Sequence, residues 1–137
     1  MQELNIRQLE EGDYENILKG WWEDWGWTAP TRDFLPEDGM GGIMVMDENT
    51  PVCAGFMYMT NSKVAWVDWI ISNKEYKKKP HRKEAIKLLV STLTDISKTL
   101  GNGYCYALIK NQNLIDTYKE LGYLKGDEYV GEMIKIL

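Results

Sequence analysis

Cysteine and histidine are scarce in this 137-residue chain, which has two of the first, Cys53 and Cys105, and one of the second, His81. A zinc site wants four ligands drawn largely from those residue types, so no metal site is expected. The two cysteines sit in separate apolar runs and read as buried free thiols, small hydrophobes rather than a disulfide. Long hydrophobic runs are also missing, and none approaches the roughly 20 residues of a membrane span. The opening Met1-Gln2-Glu3 lacks a signal-peptide pattern, so the expected compartment is the cytoplasm, with no membrane partner. Nor is there an excess of positive charge. The formal net charge of −5 argues against a general nucleic-acid-binding surface. What remains is 44% apolar and 27% charged, the composition of a single globular domain over residues 1–137.

Hydrophobic spacing lays out the elements. Leu4, Ile6 and Leu9 suggest a strand over 3–9. Asp13 offers a helix cap, and Tyr14, Ile17, Leu18, Trp21, Trp22 and Trp25 follow at helical spacing over 14–25. Residues 26–42 are rich in glycine and proline and read as loop. Three strands are expected next, at 43–46, 52–60 and 64–72, turning at Asp47-Glu48-Asn49 and at Asn61-Ser62 in an antiparallel meander. Ala85, Ile86, Leu89, Leu93, Ile96 and Leu100 mark a helix closed by Gly101. A strand at 104–109, a short helix through Leu114, Ile115, Tyr118 and Leu121, and a terminal strand at 130–137 complete the chain. The expected order is β-α-β-β-β-α-β-α-β, a mixed α+β domain with helices on both faces of a central mixed sheet. The crossover helix makes the third meander strand and 104–109 parallel neighbours.

Seven of the sixteen basic residues fall within fourteen positions: Lys74, Lys77, Lys78, Lys79, Arg82, Lys83 and Lys87, with His81 among them. A charge run of this kind can be a solvated loop. Here it lies where a strand ends and a helix begins, and cations beside the positive end of a helix dipole are unfavourable unless an anion joins them. The pattern points to a phosphate-bearing ligand.

Residues 111–123, Asn111-Gln-Asn-Leu-Ile-Asp-Thr-Tyr118-Lys-Glu-Leu-Gly-Tyr123, resemble the second motif of the GNAT N-acetyltransferase superfamily, an Asn followed seven positions later by a Tyr. The resemblance runs from about Ile43 onward and includes the element order. It implies a GNAT-like fold and an acetyl-CoA-dependent N-acetyltransferase acting on an amine acceptor. It also implies that Asn111 bonds the pantetheine arm and that Tyr118 protonates the departing CoA thiolate. Taken alone, Tyr118 reads rather as a buried aromatic on a short helix that Gly122 ends. The family's phosphate-binding turn, Arg/Gln-x-x-Gly-x-Gly/Ala, aligns with Lys77-Lys78-Lys79-Pro80-His81-Arg82, where both glycines are absent and Pro80 removes an N–H. Side-chain cations Lys77, Lys78, Lys79, His81, Arg82 and Lys83 could bind phosphate instead, as point charges. The alternative is a non-catalytic module of the same fold that binds CoA, another nucleotide or a protein partner.

If the resemblance holds, the main chain of Ile70, Ile71 and Ser72 pairs with pantetheine like an added strand and polarises the thioester carbonyl. An attacking amine must lose a proton, and Asp68 is the candidate base, a lone acid in the run Trp66-Val67-Asp68-Trp69-Ile70-Ile71. Its other reading is an acid pointing to solvent. The acceptor is expected to meet Trp22, Glu23 and Trp27, in a stretch holding four of the six tryptophans, where rings beside carboxylates suit a cationic amine. A dimer seam would use the same aromatic surface, and homodimers are common in the resembled family.

Overall fold

The computed structural model describes residues 4–78 and 81–137. Lys79 and Pro80, on which part of the expected phosphate turn falls, lie outside the described residues. Five strands form one sheet in sequence order: β1 (Leu4–Gln8), β2 (Gly42–Asp47), β3 (Thr50–Met59), β4 (Val64–Ser72) and β5 (Tyr104–Tyr106). β1 to β4 pair antiparallel, and β5 runs parallel to β4, as a helical crossover requires. That crossover is α2 (His81–Thr99). It ends at Gly101, whose φ of +96° suits only a residue without a Cβ. The other helices are α1 (Lys19–Asp24), entered through a π-helical turn at Tyr14–Leu18, and α3 (Gln112–Glu120).

Alternation along the strands builds two apolar layers. Val45, Cys53 and Val67 face α2 and α3, meeting Leu89, Val90, Leu93 and Tyr118. Met44, Ala54, Phe56 and Ile71 face the other way, against Tyr14, Leu18, Trp21 and Trp22. The sheet is therefore covered by helices on both faces. Both cysteines are free; Cys53 is buried and Cys105 half-buried. No helix among the described residues is long and apolar enough to cross a membrane, and no group of three potential metal ligands occurs among them.

Two expectations are corrected. Asp13 does not cap the first helix, because its carboxylate is used elsewhere. It takes two hydrogen bonds from the Arg7 guanidinium, at 2.7 and 2.9 Å, and one from the Glu10 N–H at 2.7 Å. Burial pushes the Asp13 carboxyl up, but the Arg7 and Glu10 hydrogen bonds outweigh it and hold the group below its ordinary value. Its stabilising contribution is present above the unfolded carboxylate pKa and is lost as pH falls through the folded value. Asp13→Ala should therefore destabilise the fold by about 2 kcal/mol at neutral pH, the size of a charge-assisted pair. Urea titrations should show the difference shrinking as the pH is taken down through the acid range.

The second correction concerns residues 130–137, which form no strand. Their composition favours one, but a strand exists only when a neighbour supplies hydrogen bonds, and this stretch has none among the described residues.

Candidate active site

The parallel pair β4–β5 is short, and the site begins where it stops. Pairing covers only Val64–Trp66 against Tyr104–Tyr106, and β4 then continues to Ser72 without its neighbour. A break in register accompanies the divergence. Between Phe56↔Asp68 and Ala54↔Ile71 the β4 strand carries an extra residue, and Trp69 takes a φ of +56°. A left-handed conformation at a non-glycine residue costs about 1–2 kcal/mol, which the surrounding packing must offset. The bulge sets Asp68, opposite buried Phe56, and Trp69, packed against Trp22, on the same face of the sheet.

Two side chains close the fork between the strands. Asp68 Oδ2 accepts from the Leu108 N–H at 3.0 Å, and Oδ1 from the Trp69 N–H at 2.9 Å. Tyr118 Oη donates to the Val67 carbonyl at 2.7 Å and is buried within the α2-side layer. Burial raises the Asp68 carboxyl above its ordinary value, an effect the two N–H donors only partly offset. Burial likewise raises the Tyr118 hydroxyl, and the nearby Asp68, Tyr123 and Cys105 add to it. Tyr118 is thus held protonated, beside a carboxyl group whose ionisation is made harder.

At the far end of β4 the pieces meet around Trp25. Its indole N–H donates to the Ser72 carbonyl at 2.9 Å, and its ring carries the Arg82 guanidinium at 5.1 Å and Lys74 Nζ at 5.3 Å. Arg82 also donates to Ser72 Oγ at 3.1 Å and to the Asn73 carbonyl at 3.2 Å. This cluster ties the end of α1 to the start of α2 across the end of β4. Sequence spacing assigned Trp25 only to the core, because nothing local links it to positions 47 and 57 residues away.

The basic residues prove less concentrated on one point than their spacing suggested. Lys78 Nζ lies 3.6 Å from the buried Asp47 carboxylate, which also accepts from Tyr76 Oη at 2.9 Å. Lys83 and Lys87 converge on Glu120 of α3, at 3.3 and 2.6 Å. His81 Nδ1 lies 3.8 Å from Glu84. These acids, from β2, α2 and α3, relieve part of the like-charge crowding that the sequence pattern had assigned to an anion. Lys77 is exposed and has no ion pair among the described residues.

Asn111 caps α3, its side-chain oxygen accepting from the Leu114 N–H at 3.0 Å. Ile71 is buried in the α1-side layer and Ile70 packs on the α2-side cluster, so these two present main chain rather than side chain to the fork. The three expected acceptor residues are not brought together. Trp22 is buried, with its ring edge-on to Trp69 at 6.2 Å. Glu23 is exposed, and Trp27 stacks on Trp25 at 5.9 Å. The aromatic group beside Asp68 is instead Trp69, met edge-on by Phe34 at 5.6 Å, and Trp66, against Tyr106 at 4.5 Å. The bulge that exposes this group leaves no trace in local composition, so sequence reasoning missed it.

No family model matches the sequence, and no curated protein matches it. Solved structures do. The aminoglycoside N-acetyltransferase AAC(6')-Iy, solved in complex with CoA, superposes with a TM-score of 0.65 at 12% identity, covering 99% of this chain and 97% of that one. Glucosamine-6-phosphate N-acetyltransferase from Arabidopsis thaliana gives 0.66 at 14% identity, covering 97% and 99%. N-acetylglutamate synthase from Neisseria gonorrhoeae, complexed with coenzyme A and N-acetyl-glutamate, gives 0.65 at 13% identity; the match covers 85% of this chain and 28% of that one. The fold is that of the GNAT N-acetyltransferases.

Proposed function

We propose that the protein transfers an acetyl group from acetyl-CoA to an amine by direct attack. The observation that carries this reading is the fork between β4 and β5, with a half-buried carboxyl on one side of it and a protonated tyrosine on the other. In this reading the pantetheine arm runs along the unladdered side of β4 at Ile70, Ile71 and Ser72, where main-chain donors can polarise the thioester carbonyl. The Asn111 side-chain amide, whose oxygen is taken by its cap, offers its NH2 to the same arm. The amine enters from the α1 face. Its nitrogen attacks the carbonyl carbon, Asp68 accepts the ammonium proton directly or through a water, the C–S bond breaks, and Tyr118 donates its proton to the thiolate. Opposite faces suit these roles, since the nucleophile arrives on one side of the thioester while sulfur leaves on another. Lys77, Arg82, His81 and the main chain at the start of α2 would take the phosphates, with Lys78 and Lys83 reaching them from their ion pairs; Lys79 belongs to the same stretch. Trp22 would act on the acceptor only through Trp69, with Glu23 and Trp27 at the rim. The cytoplasm is the compartment proposed.

A second reading, a non-catalytic module that binds CoA, another nucleotide or a protein, is favoured by one feature. Lys78, Lys83 and Lys87 already hold carboxylates, and Arg82 is held by Ser72, Asn73 and Trp25. Calorimetric titration with acetyl-CoA tests both. Micromolar binding is expected, weakened at least about tenfold, or about 1.4 kcal/mol, by Lys77→Glu with Arg82→Glu. Absence of binding at millimolar acetyl-CoA would overturn the transfer reading and the CoA-binding form of the module. Thiol release across a panel of amines then separates an enzyme from a binder.

A further inference from the structure

Asp68 carries the acid of the fork, and no cation of the described chain holds it. Its two oxygens take only main-chain N–H groups, and it has no ion pair among the described residues. What surrounds it is aromatic. Tyr58 of β3 pairs with Trp66 of β4, and Trp66 with Tyr106 of β5, which sets three rings in one row across three strands. Asp68 follows two residues after Trp66 and so stands beside that row on the same face, the one covered by α1. Trp69, brought to this face by the bulge, meets Phe34 edge-on at 5.6 Å. The Tyr58 hydroxyl fixes the Phe34 turn by donating to its carbonyl at 2.8 Å. These rings are not sealed into the core: Phe34 is 45% exposed and Tyr106 39%.

We propose that the acceptor is a primary amine carried on an aromatic or other flat apolar body, with its ammonium on Asp68 and its body among the five rings. The proposal rests on the acyl-transfer reading of the fork and names the substrate class of that site. Charge selects the ammonium. A half-buried carboxylate without a counter-ion is costly, and a cation beside it is favoured both by the carboxylate and by the ring faces. Shape selects the body. A flat apolar group gains from stacked and edge-on contacts with Phe34, Trp66 and Tyr106, which a hydrated sugar cannot match. The charged residues of the Phe34 turn are already engaged. Arg32 pairs with Asp38 at 3.6 Å and lies over the Tyr14 ring at 5.7 Å, and Asp33 accepts from the Thr31 hydroxyl at 2.6 Å. An acceptor bearing a phosphate or carboxylate would therefore set its negative charge beside Asp68 without a free cation from this turn. A polyamine would have Asp68 for one charge and hydrophobic rings for the rest.

Two measurements on the full chain test it: CoA thiol release from acetyl-CoA, and tryptophan emission during titration with the same amines. The amines are phenethylamine, propylamine, spermidine and glucosamine-6-phosphate. Phenethylamine is expected to change the emission saturably and to exceed each of the others in kcat/KM by at least about tenfold, the scale on which an apolar pocket reads added hydrocarbon. Phe34→Ala and Tyr106→Ala, both at exposed rings, should each narrow that preference about two- to tenfold, the worth of one aromatic contact, through KM for phenethylamine rather than kcat. Equal or faster transfer to propylamine, spermidine or the sugar phosphate overturns the proposal and leaves the transfer reading standing. So does a preference that neither variant alters, and the second variant decides should the first fail to fold. Thiol release with none of the amines, while phenethylamine still changes the emission, overturns the transfer reading and the acceptor role with it.

Discussion

Asp68→Asn is expected to lower kcat/KM for acetyl transfer by about 10²–10⁴-fold, the range that a positioned general base supplies. Asparagine preserves the shape and can still accept from the Leu108 or Trp69 N–H, so the fork should stay closed and the loss should fall on proton removal. The pH profile separates this from a structural effect. Burial raises the Asp68 carboxyl, so its base form appears only above a pKa higher than the ordinary carboxylate value. kcat/KM should therefore rise with pH on a limb displaced upward from that value, and Asp68→Asn should abolish the limb. The same shift has the opposite sign for stability. A carboxyl whose folded pKa is raised destabilises the native state above that pKa, so the variant should be at least as stable as the parent at neutral pH. A pH-independent loss, or an unchanged rate, would remove Asp68 from the chemistry. Tyr118→Phe supplies the companion measurement, and because acid and base act on one reaction their losses should not add.

The largest expected effect on stability is at Gly42, the first residue of β2. A Cβ there would lie 2.0 Å from the Gly55 carbonyl oxygen and 3.1 Å from Phe56 Cα, so β2 and β3 would have to part at the centre of the sheet. Backbone cannot swing aside as a side chain can. Gly42→Ala should cost about 3 kcal/mol, at the upper end for overpacking, a large share of the 5–15 kcal/mol that holds a domain of this size. Urea unfolding should show the midpoint falling with the slope unchanged. Gly20→Ala is the matched contrast. It lies in α1 with nothing within 4 Å of the new methyl, and should stabilise the protein by about 0.5–1 kcal/mol.

Much of this architecture was legible because it depends on short-range periodicity. The apolar runs at 43–46 and from Val52 foretell the strands of the meander, and the 3–4 spacing of Ala85, Leu89 and Leu93 foretells α2. Gly101 and Gly122 stop their helices at left-handed turns that other residues adopt with strain. Asp68 was legible as a candidate because a lone acid in an apolar run stands out locally, and Tyr118 because residues 111–123 resemble a family motif. Their meeting at one fork was not, since it depends on β4 and β5 diverging after three paired residues.

The charge cluster shows what local reading leaves out. Seven cations within fourteen positions point to an anion when read along the chain, yet three of them face carboxylates that arrive from Asp47 and Glu120. The tryptophan-rich stretch is likewise divided among more partners than its composition shows. Its composition suggests an acceptor wall, whereas the fold buries Trp22, turns Trp25 into a tie between Ser72 and Arg82, and gives Trp69 and Phe34 the place beside the carboxyl. Residues 130–137 carry strand composition without a strand. Element type and order as far as α3 were determined by the sequence alone, because they follow from which neighbours three, four or two positions away are apolar. Tertiary structure alone decided the bulge at Trp69, the partners of the lysines and the fate of the final segment. Each of these depends on a hydrogen bond or charge contributed from a distant part of the chain.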